Sequence, residues 1–198
     1  MTTRIQRTNR KRILDAALEV FSAHGFRGAT LDQIAEAAGL SKPNLLYYFD
    51  SKDAIHRLLL TRLLDTWLDP LRMIDPMGDP QTEILAYMRR KLQMSQQYPR
   101  ESRLFANEIL QGAPRIEGFI STELRVLVDE KAQVIAGWAQ AGRIAPVDPY
   151  HLIFSVWALT QHYADFAAQI GMIRGAEQDP FTGADAFLDH VYARMLAP

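Results

Sequence analysis

Apolar positions in this chain recur almost everywhere at helical spacing. Ile13, Leu14, Ala17, Leu18 and Phe21 form one stripe over 9–24, and His24-Gly25 closes that helix. The stretch 30–52, TLDQIAEAAGLSKPNLLYYFDSK, then predicts two short helices about a Gly-centred turn. Leu31, Ile34, Ala35 and Ala38 give the first an apolar face, and Thr30 with Gln33 three residues on makes a capping box. Gly39 supplies the left-handed backbone that stops it, and Leu40 is placed to plug the corner. Ser41 caps the second helix, with Pro43 in its first turn, where a missing N–H costs little. Small Ala35 lets the two helices cross closely. Together they predict a helix-turn-helix whose second helix is built to enter a major groove.

Within 42–49, Leu46 and Phe49 are expected to pack inward, with Leu45 undecided, which leaves Lys42, Asn44, Tyr47 and Tyr48 for DNA. Ser51 caps a helix reaching to about residue 72, bent at Asp69-Pro70. The cluster Asp75-Pro76-Met77-Gly78-Asp79-Pro80 is a dense turn signal. Helices follow over 81–97, from 98 to Gly112-Ala113-Pro114, over 115–141, from Asp148-Pro149 through 151–170, and over 184–196, with 171–183 a loop. No strand pattern intervenes, and residues 1–8 read as a loose arm. The expected fold is all-α, about nine helices. A three-helix helix-turn-helix DNA-binding domain spans 1–55, and a larger helical ligand-binding and dimerisation domain spans 56–198.

Composition narrows the function. The 198 residues are 48% hydrophobic, enough for a substantial core, and contain no cysteine, so there is no disulfide framework, thiolate metal site or thiol nucleophile. No run of about 18 apolar residues predicts a membrane span, and the polar, basic N-terminus is unlike a secretory leader. The expected location is the cytoplasm. Residues 1–57 carry nine Lys/Arg against six Asp/Glu, the remainder thirteen against seventeen. The basic end favours phosphate contact while the acidic remainder is repelled by DNA. No Ser-His-Asp order, phosphate loop or metal cluster is present, so no catalytic residue, metal or cofactor is assigned; His162 and Asp165 at i, i+3 lack a third ligand.

FSAHGF, the helix-turn-helix and YYFDSKDAI, spanning residues 10–60, together resemble the TetR family of bacterial transcriptional regulators. The resemblance implies that Thr30, Tyr48 and Lys52 bind backbone phosphates and that Lys42, Pro43, Asn44 and Tyr47 lie near base edges. Asn is suited to reading adenine and a Tyr hydroxyl to bonding phosphate. Lys52 stands in the first turn of its helix, unfavourable for a cation by the helix dipole alone, and a phosphate neighbour would explain it. Residues 151–170 are apolar nearly all round and must be covered on most faces. Paired with 184–196 and the symmetry mates of both, they make a four-helix homodimer interface as the family does, matching a palindromic operator.

Beyond the DNA-binding segment, SRLFANEIL, DEKAQVIAGW and DPYHLIFSVWALTQHYADFA resemble the pyrimidine-utilisation regulators of this family, implying uracil or thymine as effector. Such a ring requires an aromatic platform and a few convergent donors and acceptors. Trp67, Phe105, Trp157 and Tyr163 supply flat surface, Gln161 supplies both a carbonyl and an amide, and Trp157, Gln161 and Asp165 share one helix face. Lys91 and Glu108 are expected to face them from neighbouring helices, as the family fold implies. Trp157 as core, Gln161 and Asp165 satisfying each other, and a Lys91–Glu108 structural pair stand as the plainer alternatives. A different heterocycle or a hydrophobic compound is the alternative effector.

Overall fold

The structure, a computed structural model, describes residues 4–198 and contains no strand among them. The helices are α1 (Arg4–Gly28), α2 (Leu31–Ala37), α3 (Lys42–Tyr48), α4 (Lys52–Trp67), α5 (Asp69–Arg72), α6 (Pro80–Gln97) and α7 (Pro99–Leu110). A short α8 (Glu117–Phe119) leads through a π-helical turn, Ile120–Leu124, into α9 (Arg125–Gln140), followed by α10 (Pro149–Asp165), α11 (Ala167–Arg174) and α12 (Ala184–Leu196).

The chain divides into two compact units. The first runs up to Asp65 and takes in Arg100–Glu117; the second comprises Thr66–Pro99 and Gly118–Pro198. The expected boundary at 55/56 falls inside α4.

In the first unit α1, α2 and α3 pack on one another around Ile13, Phe21, Ile34 and Leu45, all 0% exposed. Local signals act as read. The Thr30 hydroxyl accepts from the Gln33 N–H while the Gln33 side chain accepts from the Thr30 N–H, Ser41 caps α3, and Gly39 has φ +62°. Gly25 leaves the helical region at φ 64°, ψ 176°, which ends the regular part of α1 beside His24.

Several expectations are corrected. Residues 4–8 are not an arm but the first turns of α1; residues 1–3 lie outside the described residues. Leu46 is exposed, whereas Leu45 is fully buried beside Phe49. One turn separates Leu45 from Phe49, so they share a face, and Leu46 is rotated about 100° away. The helix expected from 115 begins at Glu117, because Ala113 at φ 55° and the turn to Ile116 delay it. The helix over 151–170 breaks at Phe166 (φ −110°, ψ 24°), and α11 runs on to Arg174, past the expected loop start.

In the second unit α6 packs against α10 and α12, and α10 against α9. Ile84, Met88, Ile135, Val156, Leu188 and Tyr192 make its core. Asp79 and Asp148 cap α6 and α10, each followed by proline at the first helical position.

Candidate functional site

The outer face of α3 is polar and open. Lys42, Pro43, Asn44 and Tyr47 are exposed, with Tyr47 71% so, and Thr30 is exposed at the start of α2. Asp32 holds the Lys42 ammonium at 2.9 Å in a solvated pair that a competing phosphate or base can displace. Tyr48 is half-buried and fixed from α1: Asn9 Nδ2 donates to its hydroxyl at 2.8 Å and Arg10 Nη1 to its carbonyl at 2.8 Å. Arg10 also lies over the Phe49 ring at 4.3 Å. These residues of the basic end therefore brace the reading helix. Arg12 does the same one step earlier, donating to the Ala38 carbonyl at 2.7 Å.

The structure supplies a partner for Lys52 that the sequence did not suggest. Its ammonium donates to the carbonyls of Phe26 at 2.7 Å and Ala29 at 2.6 Å and lies over the Phe26 ring. One of its three N–H groups is left over from those two bonds.

Glu108 and Phe105 belong to the first unit. Glu108 is 1% exposed, and both its oxygens are taken by Arg115: the backbone N–H at 2.8 Å and Nη1 at 2.9 Å. Glu108, expected from the sequence to lie near Lys91, thus has Arg115 as a partner within the first unit. Phe105 is half-buried on α7.

The second unit gathers the other residues. On α6, Tyr87, Lys91 and Ser95 stand at i, i+4 and i+8 and are 3%, 4% and 0% exposed. On α10, which packs against α6, Trp157, Gln161 and Asp165 have the same spacing and are half-buried. The stripes meet where Trp157 Nε1 donates to the Tyr87 hydroxyl at 2.6 Å. The Asp165 charge, two turns further along α10, acts on Lys91, one turn further along α6. The Lys91 ammonium lies over the Trp67 ring at 4.3 Å. Burial pushes its pKa down to about 8, against the pull of Asp165. The Ser95 hydroxyl has no hydrogen-bond partner. Tyr163 lies off the Trp157 face and packs on Phe181, and His162 stacks on Phe166.

Sequence reasoning missed Tyr87 as the partner of Trp157, although its place beside Lys91 on the buried side of α6 was visible. It also missed Arg115, read as an ordinary helix residue, and Asn9, for which no local signal exists.

An outer cleft of about 510 Å³ in the second unit is lined by Pro70, Met73, Ile74, Glu83, Ala86, Tyr87 and Arg90. No helix among the described residues is long and apolar enough to cross a membrane.

Comparison with known proteins agrees with this architecture. Residues 13–57 match the family described as bacterial regulatory proteins, tetR family, and residues 60–198 match the C-terminal region of YcdC-like proteins. The HTH-type transcriptional regulator RutR of Escherichia coli (strain K12) is 51% identical over 167 residues, covering 84% of this chain and 79% of the relative. The ketosteroid transcriptional regulator KstR2 of Mycobacterium tuberculosis shares the fold at TM-score 0.74 and 19% identity, covering 96% of this chain and 95% of that one. AibR, solved with isovaleryl coenzyme A and operator DNA, does so at TM-score 0.72 and 19% identity, covering 96% and 99%. With both segments matched and a half-identical relative over most of its length, the chain belongs to the TetR family of bacterial transcriptional regulators.

Proposed function

We propose that this regulator is a homodimeric repressor that binds a palindromic operator and changes its hold on it when uracil or thymine enters the second unit. The observation that carries the effector reading is the pair of polar stripes, joined through Trp157 and Tyr87, in an otherwise apolar interior. A buried ammonium over Trp67, an unpartnered Ser95 hydroxyl, and the Gln161 and Asp165 side chains offer a planar heterocycle both donors and acceptors. The Trp157 indole N–H is already committed to Tyr87, so Trp157 serves as a platform rather than a donor. Both oxygens of Glu108 already accept bonds from Arg115.

The DNA reading rests on the exposed polar face of α3 and on the braced Tyr48, with Thr30, Tyr48 and Lys52 on phosphates and Lys42, Pro43, Asn44 and Tyr47 at base edges. Exposed Phe154, Leu159 and Phe166 along α10 and its end, with Phe187 on α12, support a second copy as partner. The response is a population shift that changes how well the two reading helices span successive grooves, release following where they no longer span them.

Titrating uracil and thymine into the repressor–operator complex in a gel-shift assay tests the effector half. Release or tightening at concentrations that also raise the melting temperature supports it. No response to either pyrimidine refutes it. The mainly apolar outer cleft favours one rival, a larger hydrophobic compound, which the same thermal-shift measurement with such compounds distinguishes.

A further inference from the structure

Arg115 makes contacts that neither DNA reading nor effector binding explains. Its guanidinium carbon stacks 3.4 Å from the centre of the Phe26 ring, the ring that also carries the Lys52 ammonium at 4.4 Å. Its Nε donates to Asp53 at 3.0 Å, and its Nη1 and backbone N–H both reach the fully buried Glu108. Arg115 therefore touches both things that flank Lys52: the aromatic ring beneath it and the carboxylate next to it in the chain. The His56 imidazole packs edge-on against Phe26 and lies 3.9 Å from Glu108, completing the wall.

We propose that Arg115 is a positioning residue for operator binding: bridged to Glu108 and Asp53 and stacked on Phe26, it holds the first turn of α4 against the end of α1 so that the spare Lys52 N–H points at a phosphate. The proposal rests on the reading of Lys52 as a phosphate contact. Two cations on one ring repel each other. Glu108 and Asp53 offset the Arg115 charge, so it fixes the ring without driving Lys52 away. A lysine at 115 cannot do the same, because the task needs a planar group that stacks while forking to two carboxylates. Connectivity adds a reason for the arrangement. Arg100–Glu117 packs in the first unit, yet the chain joins the second unit at both its ends. It gives the second unit covalent routes to the reading head besides α4.

The test uses the full chain and a DNA duplex that the wild type selects from a random-sequence pool. Binding is measured by fluorescence anisotropy at several salt concentrations. Lys52→Ala is expected to weaken binding about three- to tenfold and to lower the salt slope by about one. Arg115→Lys keeps a positive charge beside Glu108, and is expected to give a similar loss with a similarly lowered slope. Lys52→Ala added to Arg115→Lys is then expected to cost nothing more. Asp53→Asn takes the charge from the bridge beside Lys52, and from the Asp53–Arg57 pair of the same helix, and is expected to reproduce the result. Arg57→Ala, which breaks that pair alone, is expected to leave the added cost of Lys52→Ala unchanged, so the two together decide the matter if Arg115→Lys fails to fold. An equal loss from Lys52→Ala in the wild-type, Arg115→Lys and Asp53→Asn backgrounds overturns the positioning role. A Lys52→Ala variant with unchanged affinity and slope removes the phosphate reading itself, and the proposal with it.

Discussion

The indole N–H of Trp157 donates to the hydroxyl of Tyr87 at 2.6 Å, joining α10 to α6 at one end of the two polar stripes. Burial pushes the Tyr87 phenol up, so it remains a neutral hydroxyl able to accept this bond. Tyr87→Phe keeps the ring and removes the acceptor, leaving the N–H of the half-buried Trp157 without its partner. The expected cost is about 1–2 kcal/mol, read from the urea midpoint at unchanged m-value. Stability equal to wild type would show that the bond does not set the register of the two helices.

Leu45 and Leu46 are neighbours with opposite fates, at 0% and 40% exposure. Leu45→Ala empties a site in the core of the reading unit and is expected to cost about 2–5 kcal/mol. Leu46→Ala removes an exposed side chain and is expected to change stability by no more than about 0.5 kcal/mol. Thermal unfolding of the two variants side by side gives the ranking directly, and a reversed order would contradict the observed rotation of α3.

Gly39 stands at φ +62°, and a Cβ there would come within 2.9 Å of Arg12 Nη2. That guanidinium donates to the Ala38 carbonyl and braces the turn. Gly39→Ala therefore combines left-handed backbone strain with a steric push on the brace. A loss of about 1–3 kcal/mol is expected, together with weaker operator binding. Gly142→Ala makes the control. It also has positive φ but nothing within 4 Å, so only the backbone part of the loss should be seen.

His56 is 1% exposed, packed edge-on against Phe21 and Phe26, and its Nδ1 has no hydrogen-bond partner. Burial pushes the imidazole down to about 4; Glu108 and Asp53 pull it up, Arg115 and Lys52 down. The unfolded chain takes up this proton near pH 6.5, the folded chain only near 4. Between those values the unfolded state binds more protons, so stability falls as the pH is lowered through the window. The full effect is at most about 3 kcal/mol. Urea unfolding at pH 7 and pH 4.5 is expected to show a larger acid loss for wild type than for His56→Phe. Equal losses would assign the acid sensitivity to other groups.

The reading head was legible because its signals are local. Thr30 with Gln33, Gly39, and Ser41 with Pro43 each act through hydrogen bonds or backbone angles a few residues away, and the structure shows those bonds and angles. The polar stripe Trp157, Gln161, Asp165 was likewise legible, since helical spacing alone puts its members on one face. What faces it was not. No local pattern announces that an arginine seven residues later bonds both oxygens of Glu108, or that the Lys91 cation rests on Trp67. The break at Phe166 carries no Gly or Pro to announce it.

Alone, the sequence determined the helix-turn-helix and the helical class of the rest, because capping, turn chemistry and apolar period are short-range and add up along the chain; the family entered through the resemblance of its motifs. Only the tertiary structure decided that Leu45 rather than Leu46 is core, that Asn9 and Arg10 brace Tyr48, and that Arg115 joins Phe26, Asp53 and Glu108. The long-range contacts among these bring together groups separated by tens of residues. A charged side chain takes whichever partner packing delivers, and no local period encodes that choice.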